Sequence, residues 1–281
     1  MSSNTVAAER GSLPSSLNDA DMAEFQRLAM SAAGIDINES KRSMIYTRFI
    51  RRLRALRLTT FSEYLALLQN DKCAEYETFI NTVTTNLTYF FREPHHFEYL
   101  SEIVIPEVYR QHRGASPVRF WSAGCSSGEE PHSIAIMLAE SAKVGGIDYR
   151  LLCTDIDSEM VKRTASGDFT ADHTRGLERS HIADWFEEHA DKSISAKATL
   201  QAGIICKQLN LFDAWPIRAG IEVIFCRNVL IYFDRPHQDK IIRKFANMQS
   251  PGHYLFLGHS ESLRGFDDVY KRVSNTVYKR Q

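Results

Sequence analysis

Paired cysteines are missing from this chain. Its five cysteines, Cys73, Cys125, Cys153, Cys206 and Cys226, are odd in number and widely spread, and no Cys-x-x-Cys occurs. That excludes a disulfide framework and a zinc ribbon and points to free thiols in a reducing compartment. No metal is expected. A run of about 18 apolar residues is also absent, so no membrane insertion is expected. The net charge of −1 gives no argument about partners by itself. No glycine-rich turn ends in Gly-Lys-Ser/Thr, which removes a phosphate-binding P-loop. Met1–Leu17 is rich in Ser and Ala but has no basic stretch followed by an apolar one. It reads as a disordered lead-in and not as a signal peptide. The expectation is a soluble, cytoplasmic protein.

What is present begins with helices. Asn18 or Asp19 can cap a helix carrying Met22, Phe25, Leu28 and Ala29 and closed by Gly34. A second, from about Ser40, repeats Ile45, Phe49, Leu53 and Leu56, a spacing that makes one apolar stripe. A third follows Thr60, and a fourth covers roughly Ala74 to Thr84. Residues 18–85 therefore read as a small helical domain. Its second helix carries Lys41, Arg42, Arg48, Arg51, Arg52, Arg54 and Arg57 without an acid between Lys41 and Leu58. Solvated helix faces normally mix signs, so a run of one sign suits an acidic partner surface. Interleaved aromatics and a basic domain are missing, and nucleic acid is not the expected partner.

Residues 86–117 read as a linker and a helix opening at Pro94. Strand signals then alternate with helical ones over residues 118–281, which predicts a doubly wound, mostly parallel α/β sheet. Val118–Trp121 is β-prone and breaks into Gly124-Cys-Ser-Ser-Gly128 before a helix that opens with Glu129 and Glu130. Acids in that first turn suit the helix dipole but would repel a phosphate, so a cationic or hydroxyl-rich ligand fits better. Tyr149–Thr154 reads as the second strand and leads into Asp155, placed for ribose hydroxyls. Asp157 or Ser158 caps the helix after it. Leu177–Glu188 looks helical, and Ser193–Ile205 alternates weakly, a small β-subdomain over about residues 190–206. Val223–Cys226 reads as a buried strand, with Arg227, Asn228 and Tyr232 past its end. A helix from Pro236 and strands at Tyr254–Leu257 and Thr276–Tyr278 complete the pattern. Ligands of such sheets sit outside the carboxyl ends of the strands, where Gly124–Glu130, Asp155, Asn210 and Arg227/Asn228 would converge.

Gly124-Cys-Ser-Ser-Gly128 also matches the Gly-x-Ser-x-Gly elbow of hydrolases, with Asp234 and His259 following in triad order. The elbow requires several strands before it, however, and this turn follows the first. A dinucleotide site lacks Gly-x-Gly-x-x-Gly and would face two acids. S-adenosylmethionine fits better: its sulfonium and ammonium suit acids, its ribose suits Asp155, and its adenine suits Asn210 beside Leu211. His95 and His96, as helix neighbours, are expected to point apart and to be structural.

Together, Asn86-Leu-Thr-x-Phe-Phe-Arg92, Gly128-Glu-Glu-Pro131, Thr154-Asp-Ile-Asp157, Asn210-Leu211 and Phe225-Cys-Arg-Asn-Val-Leu-Ile-Tyr-Phe-Asp234 resemble the chemotaxis receptor glutamate methyltransferases, the CheR family. The resemblance covers nearly the whole chain. It implies the class I S-adenosylmethionine-dependent methyltransferase fold and formation of glutamyl methyl esters on the cytoplasmic helical bundle of chemoreceptors. S-adenosylhomocysteine would be the product, and sensory adaptation the process served. The implied cofactor contacts are Asn86, Thr88, Arg92, Glu130, Asp155, Asn210, Leu211, Arg227 and Asn228. Arg48, Arg51, Arg52, Arg54 and Arg57 correspond to the family's receptor-facing basic helix. Arg92 and Tyr232 are the candidates for steering the substrate carboxylate, which needs no general base because it is ionised at neutral pH. Some members grip a C-terminal receptor pentapeptide through a Gly-containing loop of the β-subdomain. Asp191–Gly203 is shorter and holds no glycine before Gly203, so direct recognition by a monomer is expected. An adaptor that binds the cofactor without turnover, and a methyltransferase with another substrate, are the alternatives.

Overall fold

The computed structural model describes residues 16–70, 74–112, 117–145 and 148–281, so all but the last two residues of the expected lead-in lie outside the described residues. The chain forms two compact units that divide at Val83/Thr84, with Ala33–Ile35 counted in the second.

Among the described residues the first unit holds four α-helices: α1 (Asp19–Ala33), α2 (Arg42–Ala55), α3 (Phe61–Asn70) and α4 (Ala74–Val83). Asn18 Oδ1 accepts the Asp21 N–H at 2.8 Å and so caps α1. At the start of α3, Thr60 Oγ1 accepts the Glu63 N–H while Glu63 accepts the Thr60 N–H, a reciprocal capping box. The stripe on α2 buries Ile45, Phe49 and Leu53, whereas Leu56 falls at the helix end and stays half-buried. Phe49 meets Phe25 at 4.7 Å, Tyr64 at 5.4 Å and Phe79 at 5.6 Å between ring centroids. One aromatic core thus ties all four helices. Each such ring, moved from water to the interior, contributes about 1.5–3 kcal/mol.

In the second unit, α5 (Pro94–Tyr99) runs through a wider turn, Leu100–Val104, into α6 (Ile105–His112). The main sheet then forms from β1 (Val118–Ala123), β2 (Tyr149–Asp155), β6 (Ile204–Gln208), β7 (Val223–Cys226), β8 (Tyr254–Leu257), β9 (Tyr270–Ser274) and β10 (Val277–Arg280). Its order is β6-β2-β1-β7-β8-β10-β9, parallel from β6 to β8 and antiparallel at β10. Helices α7 (Glu129–Gly145), α8 (Ser158–Ser166) and α11 (Arg235–Met248) supply the crossovers. Alternation along the strands sends Phe120, Phe225 and Phe256 into one apolar layer and Trp121, Ile224 and Leu255 into the other. The doubly wound, mostly parallel sheet expected from the sequence is the observed one.

Local departures have local causes. Leu177–Glu188 is not one helix: α9 (Arg179–Trp185) stops, and Phe186–Glu188 becomes strand β4. Phe186 is buried against Phe90, at 5.9 Å, and Phe169, at 6.1 Å, and its backbone is extended there. β4 pairs with β5 (Ile194–Ala196), which pairs in turn with β3 (Asp168–Phe169), making a small antiparallel sheet. Ile204–Gln208 belongs instead to the main sheet beside β2. α10 (Ala198–Gln201) links the two sheets along the chain. β9, unforeseen, pairs with β10 as the closing antiparallel ribbon. No helix among the described residues is long and apolar enough to cross a membrane.

Candidate active site

The turn after β1 is tightly wound: Gly124 (φ +89°), Ser126 (φ +51°) and Gly128 (φ +104°) all take left-handed conformations. At Gly124 a Cβ would stand 2.3 Å from a methyl of Val229, so glycine is required by space as well as by angle. Ser126 N–H donates to Asp155 Oδ2 at 2.8 Å, and Asp157 N–H donates to Oδ1 at 3.0 Å. Asp155 therefore closes the β1 turn onto the end of β2. Burial is the largest influence on it and pushes its carboxyl up to about 6, against the pull of those N–H donors. Asp157 caps α8 by accepting from the Glu159 and Met160 N–H groups. Its other oxygen accepts from Thr84 Oγ1 and, at 2.8 Å, from Asn86 Nδ2.

That last contact belongs to a larger arrangement. The segment Thr84–Glu93 lies across the carboxyl ends of the parallel strands and is fastened to them in turn. Asn86 reaches Asp157 past β2, and its carbonyl accepts from Ser126 Oγ at 2.9 Å past β1. The Thr85 carbonyl accepts from the Tyr232 hydroxyl at 3.3 Å, past β7. Phe91 N–H donates to Ser133 Oγ on α7 at 3.0 Å. The Arg92 carbonyl accepts from the Arg227 guanidinium at the end of β7. Glu93 accepts from His259, past β8, through its backbone N–H at 3.3 Å and its ring at 3.1 Å. Phe91 (φ +53°) and Glu93 (φ +59°) are held in conformations that non-glycine residues seldom take, an expense tolerated where surrounding contacts over-determine the chain.

Glu129 and Glu130, expected to favour a cationic ligand, both use their oxygens on internal partners. Glu129 accepts from Ser127 Oγ at 2.6 Å and pairs with His173 Nδ1 at 2.6 Å. Glu130 accepts from Ser122 Oγ at 2.7 Å and from Arg227 Nη1 at 3.0 Å. Burial raises the Glu130 carboxyl pKa, with Arg227 opposing it. Arg227 is itself buried; it lies 3.3 Å from Glu93 Oε2 and sits over the Phe97 ring at 5.6 Å. Asn228 takes φ +58°, and its N–H donates to Glu261 at 2.9 Å; the same carboxylate accepts from Gly258 and Ile231. A Cβ at Gly258 would meet the Asn228 amide at 2.4 Å, which fixes glycine there.

Thr88 is half-buried in the segment, and Arg92 Nη1 donates to the Leu87 carbonyl at 2.8 Å. Asn210 Oδ1 accepts the Phe212 N–H at 3.0 Å, and Leu211 is buried after β6. The structure thus brings Asn86, Asp155, Ser126, Arg92, Arg227 and Tyr232 into one bonded arrangement. Glu93 and Glu261 were missed by sequence reasoning, although Glu93 directly follows Arg92 within the motif. The hydrolase triad does not assemble: Asp234 pairs with His237, and His259 pairs with Glu93. His95 and His96 do not diverge; their rings lie side by side with centroids 4.2 Å apart.

On α2, Arg48 and Arg52, both among the residues matched to the receptor-facing basic helix, turn to partners within the helical unit. Arg48 donates to the carbonyls of Thr82 and Val83 at the end of α4, and Arg52 pairs with buried Glu75 at 2.8 Å. Arg51, Arg54 and Arg57 are exposed.

The sheet order, the glycine turn after the first strand and the acid ending the second define an S-adenosylmethionine-dependent methyltransferase. The family model described as "CheR methyltransferase, SAM binding domain" matches residues 86–279, and "CheR methyltransferase, all-alpha domain" matches residues 20–84. The chain belongs to the CheR family. A probable chemotaxis protein methyltransferase of Rhizobium etli is 36% identical over 89% of this chain and 95% of its own length. The chemotaxis protein methyltransferases of Salmonella typhimurium, at 36%, and Escherichia coli, at 35%, each align over 93% of this chain and over 90% and 91% of their own lengths.

Proposed function

We propose that the chain methylates glutamate carboxylates on the cytoplasmic helical bundle of chemoreceptors, giving glutamyl methyl esters. The observation that carries this reading is the Thr84–Glu93 segment, fastened over the carboxyl ends of the parallel strands. The residues around it suit the cofactor chemically. Asp155 is buried and its carboxylate accepts from the Ser126 and Asp157 N–H groups, and ribose hydroxyls would add the hydrogen bonds that favour its charged form. Asn210 and Leu211 offer an amide and an apolar seat for adenine, and Asn86, Thr88 and Asn228 line the remaining edge in this reading. Bound S-adenosylmethionine supplies a methyl group on a sulfonium, activated without any contribution from a protein base.

The protein's work is alignment. The substrate glutamate attacks as a carboxylate, and the enzyme must orient it in line and strip part of its water. Arg92 and Tyr232 are placed in this reading to hold one carboxylate oxygen and leave the other free. Glu130 and Arg227 act from behind, since the Arg227 guanidinium fixes the Arg92 backbone while Glu130 balances its charge. Recognition is direct: the β4–β5 connection places Lys192, not glycine, at its left-handed position (φ +65°).

The test is transfer of a radiolabelled methyl group to receptor fragments with and without the C-terminal pentapeptide. Base-labile label, equal rates on both fragments, and at least a tenfold loss of turnover in Arg92→Ala and Tyr232→Phe are expected. Base-stable label, or wild-type turnover in both variants, would sink the reading. Absence of transfer would favour an adaptor.

A further inference from the structure

The helix start just beyond Arg92 contains a cluster that the methyl-transfer chemistry does not use. One ligand atom from each of Glu93, His95 and His96 lies within 4.8 Å of the other two. Glu93 Oε2, His95 Nε2 and His96 Nδ1 are all buried and make no hydrogen bond among the described residues. His96 is fully buried, and its Nε2 is 3.1 Å from the Asn275 carbonyl and 2.9 Å from Thr276 Oγ1. A carbonyl can only accept, so Nε2 carries the proton and Nδ1 presents a lone pair. That lone pair is 3.4 Å from Glu93 Oε2, itself an acceptor.

Glu93 Oε2 and His96 Nδ1 are thus two acceptors facing one another, and the His95 tautomer with an unprotonated Nε2 adds a third lone pair. One cation satisfies all three. The 3.4 Å between Glu93 Oε2 and His96 Nδ1 agrees with such an ion, since ligands at about 2.1 Å from tetrahedral zinc stand roughly 3.4 Å apart. A histidine ligand also usually gives its other ring N–H to a carbonyl, as His96 does to Asn275. Arg227 lies close by, at 3.3 Å from Glu93 Oε2, but Glu93 and Glu130 are two carboxylates against its one charge. A divalent ion therefore does not enter a net positive site.

We propose that Glu93, His95 and His96 form a site for a divalent zinc-like cation, with the fourth position left to water. The ion would tie the start of α5 to the β9–β10 turn through Asn275 and so brace the chain that carries Arg92. Half-buried His95 provides the entrance, and binding draws the three ligand atoms, which lie within 4.8 Å of one another, to the spacing of a coordination shell.

The experiment uses the full chain without a polyhistidine tag, stripped with chelator and titrated with Zn2+ by calorimetry and with Co2+ by visible absorption. One ion per chain, a tetrahedral Co2+ spectrum, and at least a hundredfold weaker binding in His95→Gln are expected. His189→Gln, a control on the exposed β4–β5 connection, should bind as wild type. Hydrogen exchange supplies a readout that needs no variant. Zn2+ should slow exchange in peptides covering 94–99 and 270–276. Loss of stoichiometric binding, His95→Gln binding as tightly as wild type, or unchanged exchange in both peptides would each overturn the site.

Discussion

Asp155 shows how one side chain can serve both the frame and the ligand. Its two oxygens accept the N–H groups that join the β1 turn to the β2 end, and its burial holds the carboxyl up to about 6. An acid with a raised folded pKa is disfavoured as an anion by folding, so its penalty is present above pH 6 and relieved as pH falls through it. Ribose hydroxyls would favour that anion, and cofactor affinity should therefore rise with pH through the same value. Calorimetric titration with S-adenosylhomocysteine should give binding about tenfold weaker at pH 5 than at pH 7, since each pH unit below the pKa costs a factor of ten. Asp155→Asn should bind weakly and show no such slope. A flat wild-type profile would remove Asp155 from the ribose.

At the scale of elements, α2 separates arginines that hold the fold from arginines that can meet a partner. Its run of one charge sign reads from sequence as suited to an acidic partner, but a charge run alone cannot say what the neighbouring helix offers. The end of α4 presents the Thr82 and Val83 carbonyls to Arg48, and buried Glu75 draws in Arg52. Arg52→Ala would strand a buried carboxylate and should cost about 1–3 kcal/mol in denaturant unfolding. Joint replacement of exposed Arg51, Arg54 and Arg57 by Ala should change stability by no more than about 0.5 kcal/mol. The same triple variant should raise the KM for receptor fragments at least fivefold at low salt, with kcat little changed. Equal loss of stability in the two variants would mean that the arginines are not divided in this way. A triple variant with unaltered KM would show that the receptor docks elsewhere.

Across the whole molecule, the sheet was legible because strands buried on both faces leave apolar runs that glycine turns and acids punctuate. Val223–Cys226 and Tyr254–Leu257 are such runs. The site was legible where a residue type has one obvious task, as with the glycines of the β1 turn. It was illegible where a partner comes from far along the chain: Glu93 with His259, Glu129 with His173, and Phe186 against Phe90. β9 and the start of the small sheet are short, with polar faces that carry little pattern. Among the described residues, both large apolar layers of the second unit are built from residues at or beyond Phe90, and the aromatic core of the first joins Phe25, Phe49 and Phe79. Residues 84–281 alone should therefore fold and bind S-adenosylhomocysteine within about threefold of the full chain, measured by calorimetry. Without α2, label transfer to receptor fragments should fall at least tenfold. A truncated protein that cannot bind cofactor would show that the pocket is not self-contained. One that methylates at the full rate would show that the arginine helix takes no part in finding the substrate.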